Sequence, residues 1–178
     1  MRSVSGNFQA RLAAPFGMLG IRTDGGVLAE IVFIEPGSAA LAPRDGVSER
    51  ACAQLQKYFD DPEYRFDVPL APRGTPFQRR VWAKISAIRA GRTRSYGEIA
   101  QELGSAPRAV GQACGANPVP IVVPCHRVLA ATGIGGFAHE EAGFHLSVKR
   151  WLLEHESASG AITTRGDTSP RGPLRTRP

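Results

Sequence analysis

Residues 95–117 read SYGEIAQELGSAPRAVGQACGAN. Ser95 followed three positions later by Glu98 is the pattern of a capping box, so a helix is expected to start there. Ile99, Ala100 and Leu103 give that helix a buried line, and Gly104 ends it. After Ser105 and Ala106, Pro107 opens a second helix through about Ala116. Short helix, glycine-containing turn, short helix is the layout of a helix-turn-helix, although many helical hairpins share it. The side chains of the second helix are more informative. It carries Ala109, Gly111, Ala113, Gly115 and Ala116, with Arg108 near its start. A helix that reads bases in the major groove carries more polar side chains. This one suits close approach to a phosphate backbone or shallow groove, or else packing against a neighbouring helix. Cys114 follows Val110 by one turn and is expected to be buried.

The chain continues as NPVPIVVPCHRV over residues 117–128. Pro118, Pro120 and Pro124 exclude a regular helix and restrict the residues before them to extended conformations. The run Ile121-Val122-Val123 between them predicts a short buried strand ending at Cys125. The end of a rigid element is where a preorganised reactive group belongs. His126 is adjacent, and Arg127 adds a positive charge that would favour the thiolate, the nucleophilic form of cysteine. A lone cysteine is more often an inert packing residue, and a Cys-His pair alone does not overturn that. Proximity shifts the balance: Asn117 closes the small-residue helix, so the strap delivers Cys125 beside a surface fit for nucleic acid.

Working outward, Thr75, Pro76 and Gln78 predict a third capped helix with Phe77, Val81, Ile85 and Ile88 on one stripe, flanked by Trp82 and ended by Gly91. Residues 147–156 predict a last helix with Val148, Trp151 and Leu152 inward. The N-terminal part reads differently. FGMLGIRT and VLAEIVFIE are joined across Asp24-Gly25-Gly26, a strong hairpin signal. Ala51, Leu55 and Tyr58 recur at helical spacing over residues 48–59, with Cys52 as a packing residue. DDPEYRFDVPLAPRGTP, residues 60–76, is a proline-rich connection and a plausible boundary. The expected fold class is therefore α+β. A small N-terminal β-hairpin or sheet domain with a helix covers residues 1–70. A mainly helical domain with the helix-turn-helix and the cysteine strap covers 71–156. A basic tail over 157–178, rich in Ser, Thr, Gly, Pro and Arg, is expected to be disordered.

Bulk properties narrow the function. No apolar run approaches the roughly 20 residues of a membrane helix, and the first residues lack the apolar core of a secretory signal. A cytoplasmic protein without membrane attachment is expected. The three cysteines, Cys52, Cys114 and Cys125, are odd in number and far apart, and no CxxC pair occurs. That argues against a disulfide framework and a zinc site, and no metal or cofactor is expected. The formal net charge is +6. Between residues 73 and 108, Arg73, Arg79, Arg80, Lys84, Arg89, Arg92, Arg94 and Arg108 face only Glu98 and Glu102. Such a segment suggests a polyanion, nucleic acid first; a solvated basic face explains charge alone equally well.

NPVPIVVPCHRV resembles the active-site signature of the O6-alkylguanine-DNA alkyltransferases, also called methylated-DNA–protein-cysteine methyltransferases. GTPFQRRVWAKISAIRAGRTRSYGEIAQELGSAPRAVGQACGAN and SVKRWLLEHE resemble the family too, so the likeness is close from Thr75 to Glu156 and weaker before it. The resemblance implies DNA repair by direct reversal in a single-turnover transferase. The protein would bind duplex DNA through the minor groove, flip out the damaged guanine, and move its O6-alkyl group irreversibly to Cys125. It implies that His126 takes the thiol proton through a water, that Glu156 orients His126, and that Tyr96 contacts the target nucleotide and can donate a proton toward the leaving base. It also implies that Arg108 fills the space of the extruded base, that Asn117 links the DNA-facing helix to the strap, and that Ala109, Gly111 and Gly115 let the helix dock closely. O4-alkylthymine is expected as a further substrate, and a monomer as the working form. Phe137 stands where the family usually has Tyr, and AHEEAGFHLSV before Lys149 is longer than usual, in the segment that lines the family's alkyl pocket. The alternatives are a damage binder of the alkyltransferase-like group, which lacks the cysteine, and a helix-turn-helix regulator, which the poverty of base-reading side chains disfavours. A cysteine hydrolase on an unrelated fold would leave the basic helices unexplained.

Overall fold

The computed structural model describes residues 7–71, 73–137 and 143–157. The expected disordered tail therefore lies, apart from Ser157, outside the described residues, as does the centre of the long segment after Phe137.

The hairpin forms as its turn residues dictate. Strand β2 (Gly17–Asp24) pairs antiparallel with β3 (Val27–Ile34) across Gly25 and Gly26, both left-handed. A third strand, β1 (Ala10–Ala14), pairs with the outer edge of β2 and was not anticipated; the order is β1-β2-β3. Its five residues, ARLAA, are few and lack the β-branched and aromatic side chains that mark a strand, which hid it. Helix α1 (Gly46–Asp60) packs on the sheet. It starts earlier than the apolar spacing suggested because Asp45, not a later residue, caps it in a complete box with Ser48. Its inward line is Ala51, Cys52, Leu55 and Tyr58, as the sequence predicts.

Both capping boxes read from the sequence are present. Thr75 and Gln78 start α2 (Pro76–Ser86), and Ser95 and Glu98 start α3 (Tyr96–Leu103). Gly104 closes α3 in the left-handed conformation, and α4 (Pro107–Gly115) follows at once. Trp82 of α2 donates its indole N–H to the Ala113 carbonyl at 2.8 Å, pinning α4 to α2. A two-residue parallel pairing joins β4 (Arg94–Ser95) to β5 (Val128–Leu129), so the start of α3 is stitched to the chain just after Cys125. Helix α5 (Phe144–Ser157) begins three residues before the expected Ser147. Part of the segment read as a long loop is therefore helical.

The sheet reaches the other helices through one continuous apolar core. Leu19, Ile21, Leu28 and Leu55 belong to the same cluster as Val81, Ile85, Ile99, Val110, Val148 and Leu152. Edge strand β3 also supports the strap directly, because the Ile31 N–H donates to the Pro118 carbonyl at 2.8 Å. An exposed sheet edge is thereby covered, as edges must be.

Candidate active site

The strap is not the short strand expected. Ile121 has φ of 75°, left-handed and unfavourable for a β-branched residue. The Val123 N–H turns back onto the Val119 carbonyl at 2.9 Å. Prolines at 118, 120 and 124 lack N–H donors, so the segment cannot join a ladder and folds on itself. Near-complete burial of the Ile121 side chain offsets the backbone strain. Pro124, at φ −81° and ψ 64°, then makes an inverse γ-turn closed by the Cys125 N–H on the Val123 carbonyl at 2.8 Å. Cys125 emerges at the start of a 3-10 turn, residues Cys125–Arg127.

Asn117 organises this turn. Its amide nitrogen donates to the Val123 carbonyl at 2.8 Å and to the Cys125 sulfur at 3.2 Å, while its oxygen accepts from the Val119 N–H at 3.1 Å. One side chain thus holds both ends of the strap and touches the thiol. Cys125 is buried, and burial raises its pKa; the Asn117 hydrogen bond and the charge of Lys149 pull the other way. The resting group is a neutral thiol that needs a base before it can act as a nucleophile.

His126 follows Cys125 in the same turn. It is fully buried, and its Nε2 lies 2.8 Å from Glu156 Oε1. A carboxylate only accepts, so Nε2 carries the proton and Nδ1 keeps its lone pair. Among the described residues Nδ1 is buried with no hydrogen-bond partner. Burial outweighs the attraction of Glu156 and lowers the His126 pKa, keeping the imidazole neutral. Glu156 is buried as well. Burial opposes its charge, but His126 and Arg127 outweigh that and hold its pKa at about 2.

Arg127 corrects the sequence reading. Its guanidinium does not serve the thiol. It reaches Glu156 through Nε and NH2, at 2.9 and 2.8 Å, and bonds the Ile88 carbonyl. Two further residues were not read as part of the site. Lys149 is buried and donates to the carbonyls of Val128 at 2.8 Å and Gly136 at 3.0 Å, and burial lowers its pKa to about 8. Tyr58, expected only as a core residue, donates to Glu156 Oε1 at 2.9 Å. The signal for Lys149 is its place on the line Lys149, Leu152, Glu156, one inward face of α5.

Tyr96 is half-buried at the start of α3, and its hydroxyl donates to the Gly136 carbonyl at 3.3 Å, the same oxygen that Lys149 holds. Burial raises its pKa. Gly135 turns beneath the Tyr96 ring at φ 69°, where an added Cβ would come within 3.1 Å of it. Phe137 is buried against Phe33, ring centres 5.5 Å apart. Cys114 is buried as expected, and burial pushes its pKa to about 12, so it stays an inert thiol; among the described residues it has no counterpart to the Asn117 contact on Cys125.

Helix α4 shows two faces. Val110, Ala113 and Cys114 are buried, whereas Arg108 is exposed and Ala109, Gly111 and Gly115 are half-exposed. Among the described residues a Cβ added at Gly111 would meet only Tyr96, at an ordinary 4.0 Å, so packing against them does not require glycine there. Counting charges overstated the basic surface. Lys84 and Arg94 both pair with Glu102, at 2.9 and 2.6 Å, and Arg73 pairs with Asp24 at 3.1 Å. Among the described residues no group of three or more His, Cys, Asp or Glu is placed to hold a metal ion, and no helix is long and apolar enough to cross a membrane.

Residues 76–158 match the family profile described as 6-O-methylguanine DNA methyltransferase, DNA binding domain. A methylated-DNA–protein-cysteine methyltransferase of Mycobacterium bovis is 42% identical over 152 residues, covering 82% of this chain and 89% of the relative. One from Methanosarcina mazei is 40% identical over 137 residues, covering 72% and 84%. The crystal structure of the Mycobacterium tuberculosis O6-methylguanine methyltransferase superposes with a TM-score of 0.71 at 39% identity, covering 84% of this chain and 92% of that one. That organism's OGT in complex with DNA superposes at 0.69 with 40% identity, covering 85% and 93%. With an α+β fold, a buried Cys-His-Glu constellation and these likenesses across most of its length, the chain belongs to the methylated-DNA–protein-cysteine methyltransferase family.

Proposed function

We propose that this protein repairs DNA by moving the alkyl group of O6-alkylguanine, and of O4-alkylthymine, in duplex DNA onto Cys125, once per molecule. The supporting observation is the pairing of a thiol held by Asn117 with a neutral His126 whose Nε2 is fixed on Glu156. The Cys125 proton passes through a bridging water to Nδ1 of His126. The sulfur then attacks the alkyl carbon, the carbon–O6 bond breaks, and the electron pair stays with the base. Glu156 stabilises the imidazolium that forms, the role of the third member in a catalytic triad. Tyr96 gives a proton toward the departing base only as that base develops charge, since burial disfavours tyrosinate. The product is a thioether, a poor leaving group, so the protein acts once.

On this reading residues 71–156 bind DNA and transfer the alkyl group, and residues 1–70 support them. Helices α3 and α4 serve as the helix-turn-helix. The small residues Ala109, Gly111 and Gly115 bring the α4 backbone close to the phosphates, and Arg108 enters the stack where the damaged base leaves it. Such contacts position the protein without reading sequence. Extrusion costs a few kcal/mol, less for a weakened pair, which favours damaged sites. The protein works as a monomer in the cytoplasm, on DNA.

A duplex with a single O6-methylguanine tests this. Incubation is expected to restore guanine until each protein molecule has acted once, and then to stop. Intact methylated duplex after prolonged incubation with folded protein would contradict the reading, as would continued turnover. Arg108→Ala is expected to slow repair of duplex far more than reaction with free O6-benzylguanine; equal loss on both would remove Arg108 from the extrusion step.

A further inference from the structure

The donors around Glu156 come from separate parts of the chain. His126 and Arg127 lie in the 3-10 turn, and the Gly91 N–H approaches Oε2 at 3.4 Å from the segment before β4. Among the described residues the remaining donor is Tyr58 of α1, ninety-eight positions away, on Oε1, the oxygen that also holds His126. Tyr58 is 1% exposed. Its ring is boxed by Phe59, Phe66 and His155, at 5.8, 5.7 and 5.3 Å. Its carbonyl lies 2.9 Å from His155 Nε2, and His155 stacks on Trp151 at 4.7 Å. Helix α5 therefore grips Tyr58 at its backbone while Tyr58 grips α5 at Glu156, so neither partner can shift alone.

We propose that Tyr58 is a positioning residue for proton transfer: its hydroxyl fixes the Glu156 carboxylate and draws negative charge from the oxygen that holds His126, keeping His126 a weak enough base to stay neutral before it is needed. The inference rests on the Cys125–His126–Glu156 reading above. The charged and titratable groups that face His126 are Cys125 and Arg127 beside it, Glu156 and Lys149 from α5, and Tyr58 through Glu156 from α1. Lys149 and Arg127 weaken its hold on a proton, and Glu156 strengthens it. Removing the Tyr58 hydroxyl leaves the two cations in place and strengthens Glu156 alone. His126 should then become more basic.

Tyr58→Phe in the full chain tests this, because the ring and its packing remain. Two readouts are needed: the His126 titration by NMR, assigned by comparison with His126→Gln, and the pH profile of single-turnover methyl transfer to Cys125. Both acid midpoints are expected to rise by about one pH unit, within the range a neighbouring hydrogen bond moves a pKa. In a Glu156→Gln background the same substitution should change neither, since Tyr58 acts through Glu156. Superimposable titrations and profiles would overturn the proposal, and so would a slowdown equal at every pH, the mark of a merely structural role. Absence of transfer in the wild-type protein would instead refute the reading beneath it, and the NMR titration would still decide the role of Tyr58.

Discussion

At the residue scale, one contact separates three buried thiols. Cys52, Cys114 and Cys125 are all buried, but among the described residues only Cys125 has a donor on its sulfur, from Asn117. Asn117→Ala should slow alkylation of Cys125 by roughly ten- to a hundredfold, the size of a lost hydrogen bond to a developing charge. Single-turnover rates on methylated duplex measure this, and an unchanged rate would contradict it. On the proposed mechanism, His126 fixes the pH dependence. Transfer needs the neutral imidazole, and burial lowers its pKa below the ordinary 6.5, so the wild-type rate should persist as pH falls through 6.5 and fail only in more acid solution. For stability the sign is the same: His126 favours the folded state above the unfolded pKa, and the contribution is lost as pH falls. A rate that halves near or above pH 6.5 would show a protonated resting histidine. The meeting of Asn117 with Cys125 and of Glu156 with His126 was legible in the sequence because their types and spacing match a known signature. Tyr58 and the true partner of Arg127 were not, because both are long-range contacts to Glu156 that no local pattern encodes.

At the element scale, the helix starts were legible at α2 and α3, while the end of α2, at Ser86 and not Gly91, and the path of the strap were not. Capping boxes at Thr75 and Ser95 and the glycine at 104 are local chemistry, and each appears where it was read. The β-branched run at 121–123 reads locally as a strand, yet flanking prolines leave it no ladder, and Ile121 sits left-handed with its side chain buried. Strain there has a measurable consequence. Glycine ordinarily costs up to about 1 kcal/mol more than alanine in ordered backbone, but a left-handed position penalises any Cβ by about 1–2 kcal/mol. Ile121→Gly should therefore unfold at the same temperature as Ile121→Ala or higher, although both lose the buried side chain. A glycine variant clearly less stable than the alanine variant in thermal unfolding would show that the turn is unstrained.

At the scale of the whole molecule, the sheet and α1 belong to the site. Ile31 bonds the strap at Pro118, Phe33 packs on Phe137, Phe16 and Phe59 pack on Trp151, and Tyr58 holds Glu156. A fragment beginning at residue 71 should accordingly fail to fold cooperatively, because Phe137, Trp151 and Glu156 would each lose their cover; a sharp thermal transition in that fragment would contradict this. The change of composition at residues 60–76 was visible, but the core shared across it was not, since hydrophobic spacing reports which face is buried and not against what. The most direct test of the whole account is the site of the transferred group. After reaction of the full chain with duplex DNA containing O6-methylguanine, intact mass and peptide mapping should find one methyl group per chain, on Cys125, with Cys52 and Cys114 unmodified. An unmodified Cys125 in folded protein, or a methyl group on either other thiol, would contradict it.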